Sequence, residues 1–196
     1  MRCAPFLKAT TVFALLLIPT AGAVAGELPK NKQTKAGLYL TASEAGEMLA
    51  DENVLFIDIR SRAEVSFLGL PKRVNVHIPY MDMPLTPEYD PKRQTYKLEL
   101  NPDFPLAFNK YISDHGLGKE SKVVLMCRSG SRSAKAANLL ADMGYKNVYS
   151  LVDGFEGDKL KDGPNKGKRL ANGWKNTNLS WSYKIDPEQL YPEDKE

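Results

Sequence analysis

The most constraining feature of this chain is an apolar run, Lys122–Met126, that ends directly at Cys127 and is followed by a short polar loop. The run has the length and composition of a buried β-strand. Beyond the loop, Ser133–Met143 carries apolar residues at helical spacing, and Gly144 marks the end of that helix. A strand, a tight loop and a helix in this order direct backbone N–H groups and a helix N-terminus to one point. We therefore expect the loop to favour the thiolate form of Cys127 and to leave it open to solvent.

Short apolar runs alternate with helical patterns along the rest of the chain. Further strands are predicted at Val54–Ile59, Val74–Ile78 and Val148–Leu151, and further helices after the capping-box pattern Thr41–Glu44 and across Phe108–His115. Such alternation predicts an α/β fold with a central, mainly parallel sheet flanked by helices. Cys127 would then lie beyond the carboxyl end of a strand, where ligands bind in sheets of this kind.

Composition fits one soluble domain. The 196 residues suffice for one well-cored domain and are too few for two ordinary ones. The net charge of +3 is weak, so neither nucleic acid nor a membrane surface is an expected partner.

The N-terminus has the pattern of a secretory signal. Arg2 and Lys8 form a basic start, Thr11–Ile18 an apolar core, and residues 23–25 a small-residue cleavage site. Cleavage after residue 25 would leave 25 basic and 24 acidic residues, no membrane contact, and a periplasmic or secreted protein. The alternative is an uncleaved N-terminal anchor, although the apolar core is short for a membrane span.

Cysteine usage points to a reactive thiol. Cys3 would be removed with the signal, which leaves Cys127 as the one mature cysteine. No intramolecular disulfide and no cysteine-based zinc site can then form, and no metal or other cofactor is expected. An exported lone thiol is a liability unless its reactivity is used. The alternative is an inert buried cysteine that acts as a small hydrophobic residue.

Three ordered motifs between Leu38 and Trp181 resemble the rhodanese-type sulfurtransferases. The loop C-R-S-G-S-R, residues 127–132, is similar to the active-site loop of that family. The second motif is the strand ending in Asp58-Ile59-Arg60, followed by Glu64, Gly69 and Asn75–Pro79, and the third is Gly144–Leu151 with Asp153-Gly154. The resemblance implies a three-layer rhodanese-like fold.

It also implies a mechanism. The Cys127 thiolate would attack the outer sulfur of a small anionic donor such as thiosulfate, forming a persulfide and releasing sulfite. Cyanide, a thiol or a protein would accept the sulfur in the second half-reaction. Amide groups from Arg128 to Ser133 would stabilise the negative charge without reorganising.

The other loop residues receive roles on the same basis. Arg128 would face the mouth and attract the donor, or would be a solvated surface charge. Arg132 would close the loop by bonding backbone carbonyls or the bound anion. Gly130 would permit the turn, and Ser133 would also be the helix N-cap. Hydrogen bonds are expected from three hydroxyls, those of Ser129, Ser131 and Ser133.

Two charged residues near the loop are expected to support it. Asp58 would help to hold the loop, and Arg60 would form a structural ion pair with Glu64; a direct catalytic role for Asp58 or Arg60 is the alternative. His77 and His115 are the only histidines, and a Cys–His dyad would require the fold to bring one of them to Cys127.

The sequence departs from the family pattern at three places. The usual G-H-I turn reads Gly69-Leu70-Pro71, and insertions lie near residues 80–105 and 157–173. The first insertion is predicted to be an irregular surface loop, or else a lid or docking rim. The predicted organisation is thus a flexible lead (26–37), a domain (38–182) and a C-terminal tail (183–196), with Trp174, Leu179, Trp181 and Tyr183 packing back onto the domain.

Loop length favours sulfur transfer over phosphatase chemistry. Related cysteine phosphatases carry their arginine one position later, where this chain has Ser133, and a histidine where it has Met126. The leading prediction is therefore an exported rhodanese-type sulfurtransferase. The alternatives are a persulfide carrier or partner-docking module with little free turnover, and then a phosphatase or arsenate-handling enzyme.

Overall fold

The structure, a computed structural model, describes residues 28–195. The predicted secretory signal, residues 1–25 with Cys3, lies outside the described residues. None of the helices in the described part of the chain is long and apolar enough to span a bilayer.

Eleven short strands and four α-helices make up the described fold. The strands are β1 (Tyr39–Leu40), β2 (Leu55–Asp58), β3 (Leu70–Pro71), β4 (Val76–His77), β5 (Met81–Asp82), β6 (Tyr89–Asp90), β7 (Thr95–Tyr96), β8 (Glu99–Leu100), β9 (Lys122–Met126), β10 (Asn147–Leu151) and β11 (Trp181–Ser182). The helices are α1 (Ala42–Met48), α2 (Arg62–Leu68), α3 (Phe104–Asp114) and α4 (Ser131–Asp142). Short 3-10 helices cover Lys30–Lys32, Trp174–Asn176, Pro187–Gln189 and Pro192–Lys195.

The central sheet contains five parallel strands in the order β1-β10-β9-β2-β4. Strand β9 is in the middle, and Leu125 pairs with Ile57 on one side and Ser150 on the other. The predicted α/β fold with a parallel sheet is confirmed. Because β9 is central, Cys127 leaves the sheet at the middle of its carboxyl edge, where parallel sheets bind ligands.

The sheet is buried on both faces, which explains the continuous apolar run of β9. Val123, Leu125 and Cys127 contribute to one core cluster, and Val124 and Met126 to the other. Helices α3 and α4 cover the first face, while α1 and α2 cover the second. Each large apolar side chain buried in these clusters stabilises the fold by about 1.5–3 kcal/mol.

Capping boxes begin both helices of the second face. Thr41 accepts from the Glu44 amide before α1, as predicted from the sequence. Ser61 and Glu64 form the same reciprocal arrangement before α2. The spacing Ser-x-x-Glu at residues 61–64 is the usual signal of this motif, and it fixes Glu64 in the first turn of α2.

The insertion near residues 80–105 is more regular than predicted. Strand β5 pairs with β8, and β6 pairs with β7, in two small antiparallel sheets. Backbone pairing satisfies the polar groups that an irregular excursion would leave to water. Gln94, with φ of 54°, forms the turn between β6 and β7.

The insertion at residues 157–173 is a hairpin, called here the basic hairpin. Lys159 and Arg169 form an antiparallel bridge, and the amide of Leu160 donates to the carbonyl of Lys168. The hairpin carries five lysine or arginine residues against two aspartates.

Both ends of the described chain contact the domain. In the predicted lead, Lys32 pairs with Asp158 at 2.8 Å and Lys35 with Asp142 at 2.6 Å. In the predicted tail, the Gln189 amide donates to the carbonyl of Val74 at 2.7 Å, and Tyr191 is buried in the core.

Trp174 and Trp181 pack back onto the domain as predicted, whereas Tyr183 is 63% exposed. Trp174 lies against Phe56 with ring centroids 5.0 Å apart, and Trp181 contacts Phe155 edge-on at 6.0 Å. Leu179 packs against the core cluster that contains Phe56 and Trp174, and Tyr183 contacts the ring of Trp181.

Candidate active site

Cys127 lies immediately after β9, and its sulfur accepts a hydrogen bond from the Gly130 amide at 3.2 Å. The residue is only 1% exposed, so the prediction of a solvent-open sulfur is wrong. Its side chain continues the alternation of Val123 and Leu125 and therefore points to a core face. The amide hydrogen bond distinguishes this site from a cysteine sealed among aliphatic groups alone.

Two glycines allow the loop backbone to pack closely. Gly130 has φ of 93°, and a Cβ there would collide with the carbonyl of Val152. Gly154 has φ of 63°, and its Cβ would lie 2.5 Å from the Ser129 nitrogen. Both positions need the conformational freedom of glycine. The third sequence motif is thus the surface on which the cysteine loop rests.

Backbone hydrogen bonds tie the loop to the segment after β10. The Phe155 amide donates to the carbonyl of Cys127 at 2.8 Å, and the Glu156 amide donates to that of Arg128 at 3.0 Å. The loop therefore has a fixed base, which limits the reorganisation needed during a reaction.

Helix α4 begins two residues earlier than predicted, with Gly130 as its N-cap. The prediction that Ser133 is the N-cap is therefore wrong. Because the left-handed Gly130 already turns the chain, Ser131 starts the helix and Ser133 falls in its first turn. The first amides of a helix have no carbonyl one turn earlier, so this end carries partial positive charge beside the loop.

A buried hydroxyl pair lies under the sulfur. Ser133 Oγ is 3.5 Å from Cys127 Sγ and donates to the Gly130 carbonyl at 3.0 Å. Ser150 Oγ donates to Ser133 Oγ at 2.9 Å. Ser150 was not predicted as a site residue; the signal for it was a serine inside a buried strand, where a hydroxyl needs a partner. The other predicted hydroxyl donors, Ser129 and Ser131, are half-buried.

Each loop arginine pairs with a carboxylate. Arg128 Nε donates to Glu156 Oε2 at 2.5 Å, and the Arg128 side chain is 48% exposed. Arg132 donates through two nitrogens to the two oxygens of Glu64, at 2.6 Å each. Arg132 therefore fastens α4 to α2 and donates to no loop carbonyl among the described residues, contrary to that part of the prediction, while its bond to a bound anion stays a prediction.

The Glu64–Arg132 pair is largely buried, with side chains 17% and 13% exposed. Burial opposes the charged form of Glu64, but the hydrogen bonds and charge of Arg132 outweigh it and lower the pKa of Glu64 to about 2. Burial likewise opposes the charge on Arg132, and Glu64 overcomes this effect and raises the pKa of Arg132. Both groups are charged at neutral pH.

Asp58 and Arg60 form a second, fully buried ion pair. Arg60 Nη2 donates to Asp58 Oδ2 at 2.6 Å and to the Gly69 carbonyl at 2.7 Å. The predicted Arg60–Glu64 pair is therefore wrong, because Arg60 precedes α2 and turns back toward the sheet. Asp58 makes no hydrogen bond to the cysteine loop among the described residues; its support passes through Arg60, which stacks 4.0 Å above the Phe155 ring.

The comparisons with known proteins agree with this geometry. The family model of the rhodanese-like domain matches residues 41–161. The chain is 32% identical over 147 residues to an uncharacterised protein of Rickettsia rickettsii, an alignment that covers 74% of this chain and 96% of the relative. The chain belongs to the rhodanese-like domain family.

Other similarities extend the comparison. This rhodanese-like protein shares 27% identity and a TM-score of 0.54 with an M. tuberculosis protein of known crystal structure, covering 74% of this chain and 96% of that one. It is also 28% identical over 123 residues to the tRNA uridine(34) hydroxylase of Buchnera aphidicola. That alignment covers 63% of this chain and 32% of the hydroxylase, so it compares only part of the larger enzyme.

Neither histidine of the rhodanese-like domain forms the alternative Cys–His dyad. His77 Nε2 lies 2.7 Å from the carbonyl oxygen of Arg60, and burial lowers the pKa of the ring. His115 follows α3, and its Nδ1 lies 2.8 Å from the Tyr111 carbonyl. Within residues 28–195 there is also no group of three or more histidine, cysteine or acidic residues that could hold a metal ion.

Proposed function

We propose that this protein is an exported sulfurtransferase that carries sulfane sulfur as a persulfide on Cys127. The observation that carries the proposal is the Gly130 amide directed at Cys127 Sγ, at 3.2 Å, in a loop with the rhodanese pattern. An amide in this position stabilises negative charge on sulfur in both the thiolate and the transition state. Membership of the rhodanese-like family supports the same chemistry.

The reaction needs no external oxidant or reductant. The Cys127 thiolate attacks the outer sulfur of thiosulfate, a new S–S bond forms, and the old S–S bond breaks with its electron pair leaving on sulfite. An acceptor such as cyanide then attacks the outer sulfur of the persulfide and regenerates the thiolate. The Gly130 amide and the N-terminus of α4 face negative charge throughout.

The burial of Cys127 supports a second candidate, a persulfide carrier that releases sulfur only to a docked partner. A covered sulfur is shielded from small oxidants and from free acceptors. In this candidate, free turnover with cyanide is slow although the persulfide forms.

Intact mass spectrometry separates these candidates. The protein, expressed without residues 1–25, is incubated with thiosulfate, and we expect one added sulfur atom on Cys127 and thiocyanate after addition of cyanide. Cys127→Ser should lose both signals, whereas Ser129→Ala, which alters a half-buried loop hydroxyl, should retain the sulfur adduct.

A persulfide without thiocyanate supports the carrier. Hydrolysis of aryl phosphate with no sulfur adduct would overturn sulfur transfer in favour of a phosphatase.

Export is a separate part of the proposal and is supported by the basic start, apolar core and small-residue site of residues 1–25. Expression of the full chain in a Gram-negative host, followed by fractionation and N-terminal sequencing, tests it. We expect a periplasmic product that begins at Gly26; an uncleaved product in the membrane fraction would indicate the anchor instead.

A further inference from the structure

The loop arginines do not offer free charge to an anionic donor. Arg128 is paired with Glu156, and Arg132 is held by both oxygens of Glu64. A carboxylate at 2.5–2.6 Å compensates the charge of each guanidinium, through two nitrogens of Arg132 and through Nε alone of Arg128. A cation without such a carboxylate partner would attract an anion to the cysteine loop more strongly.

The basic hairpin places such a cation, Arg169, next to the segment that binds the cysteine loop. Glu156, which binds Arg128, is followed directly by Gly157, and Arg169 Nη1 donates to the Gly157 carbonyl. A Cβ on Gly157 would collide with the carbonyl of Asn172, so the two ends of the hairpin are packed backbone to backbone. Arg169 is thus held at the base of the hairpin, one residue from the ion pair that borders the cysteine loop.

Arg169 differs from the loop arginines in its partners. Among residues 28–195, no carboxylate lies within ion-pair distance of its guanidinium, and its buried Nε has no hydrogen-bond partner. Burial and then the like charge of Arg128 lower the pKa of Arg169, while Glu156, Asp158 and Cys127 act in the opposite direction. The hydrogen bond to Gly157 places the Arg169 guanidinium next to the ion pair of Glu156 with Arg128. A half-buried guanidinium without a carboxylate partner can bind an incoming anion through its terminal nitrogens.

We propose that Arg169 binds the anionic, oxygen-bearing end of the sulfur donor, so that the insertion at residues 157–173 makes the Cys127 site selective for anionic donors. This inference rests on the proposed function for the identity of the ligand. The hairpin lysines at 159, 161, 166 and 168 are exposed, so their charges are solvated and screened, and the selectivity is assigned to Arg169.

The first test measures anion selectivity without any sulfur transfer. Cys127 is alkylated separately with iodoacetate and iodoacetamide, and adduct formation is followed by intact mass. In both reactions the thiolate displaces iodide, and both need the same opening of the buried site, so the rate ratio isolates the effect of the reagent's charge. Arg169→Gln should lower the iodoacetate-to-iodoacetamide ratio by about fivefold, an effect of the size expected for one nearby charge under partial screening.

Matched variants control for net charge and for folding. Lys161→Gln removes one charge from an exposed position of the same hairpin and should change the ratio by less than about twofold, because its charge is solvated. Arg169→Lys keeps the charge and should retain most of the selectivity. If the ratio falls as much in Arg169→Lys as in Arg169→Gln, and both reagents react faster, Arg169 acts by holding the hairpin together and not by its charge. This result would overturn the proposal.

The second test uses thiosulfate and separates this inference from the proposed function. Arg169→Gln should raise the thiosulfate concentration that gives half-maximal persulfide formation by about fivefold, with little change in the maximal rate. If the persulfide forms and neither readout distinguishes Arg169→Gln from Lys161→Gln, the inference is wrong and sulfur transfer stands. If no variant forms a persulfide and the alkylation ratio still falls, sulfur transfer is wrong and the anion site stands.

Discussion

Replacement of Glu64 by Gln tests the electrostatic link between α2 and the cysteine loop. Glutamine keeps an acceptor for the Ser61 amide, so the capping box of α2 is preserved, while the charge that faces Arg132 is removed. A neutral amide also imitates the protonated form of Glu64. The loss of stability in the variant should therefore equal the free energy by which the fold holds Glu64 in its ionised form.

The pKa of Glu64 gives the size of that free energy. The decrease from 4.5 to about 2 corresponds to about 3 kcal/mol, at about 1.4 kcal/mol for each tenfold change in proton affinity. Because the folded-state pKa is the lower one, the stabilisation is present above about pH 4.5 and is lost as the pH falls toward 2. The difference between parent and variant should thus be about 3 kcal/mol at pH 7 and about half of that at pH 3.

Urea unfolding followed by tryptophan fluorescence measures this difference, since Trp174 is buried in the core beside Phe56. Arg132→Gln and the double variant complete a mutant cycle, and the double variant should recover part of the stability because it leaves no unpaired buried charge. The reasoning fails if Glu64→Gln loses less than about 0.5 kcal/mol at pH 7. It fails equally if the loss at pH 3 is as large as at pH 7.

Two further predictions concern the support of the loop. Gly130→Ala should destabilise the fold by about 2–4 kcal/mol, because alanine at a positive φ must also avoid the Val152 carbonyl, and a change in the urea midpoint too small to give 1 kcal/mol would contradict this. Ser150→Ala should cost about 1–2 kcal/mol and slow persulfide formation, because Ser133 loses the hydroxyl that donates to it. An unchanged persulfide rate with the expected loss of stability would limit Ser150 to a structural role.

Local patterns were sufficient to predict four of the five strands of the central sheet, but not the two-residue strand β1. The run Lys122–Met126 has apolar residues on both faces, so it could only be a strand covered on both sides, and the structure places it in the centre as β9. The same alternation already indicated where Cys127 points, since it is two residues beyond Leu125. The polar residues that follow Cys127 suggested an exposed sulfur, and that prediction is wrong.

Pairing of charges could not be predicted from spacing in the same way. Arg60 and Glu64 are four residues apart, which suggests a helical pair, but Ser61 begins α2 and leaves Arg60 outside it. Glu64 instead binds Arg132, which lies 68 residues away in the sequence. Contacts of this kind depend on how α2 and α4 meet across the carboxyl edge of the sheet, and no local motif records that.

In the proposed reaction, the groups that stabilise the charge on the Cys127 sulfur differ from those that bind the oxygens of the donor. The charge on Arg132 is balanced by Glu64, so that the negative sulfur relies on the Gly130 amide and the end of α4. Backbone dipoles suit this task because they are fixed before the reaction and need no counter-ion to leave. The oxygens of a departing sulfite favour charged donors, and in our proposal Arg169, which has no carboxylate within ion-pair distance among the described residues, supplies them. A change at Arg169 should therefore weaken the step that involves the donor and leave transfer to cyanide unaffected, because the oxygen-bearing group has already left when the persulfide meets its acceptor.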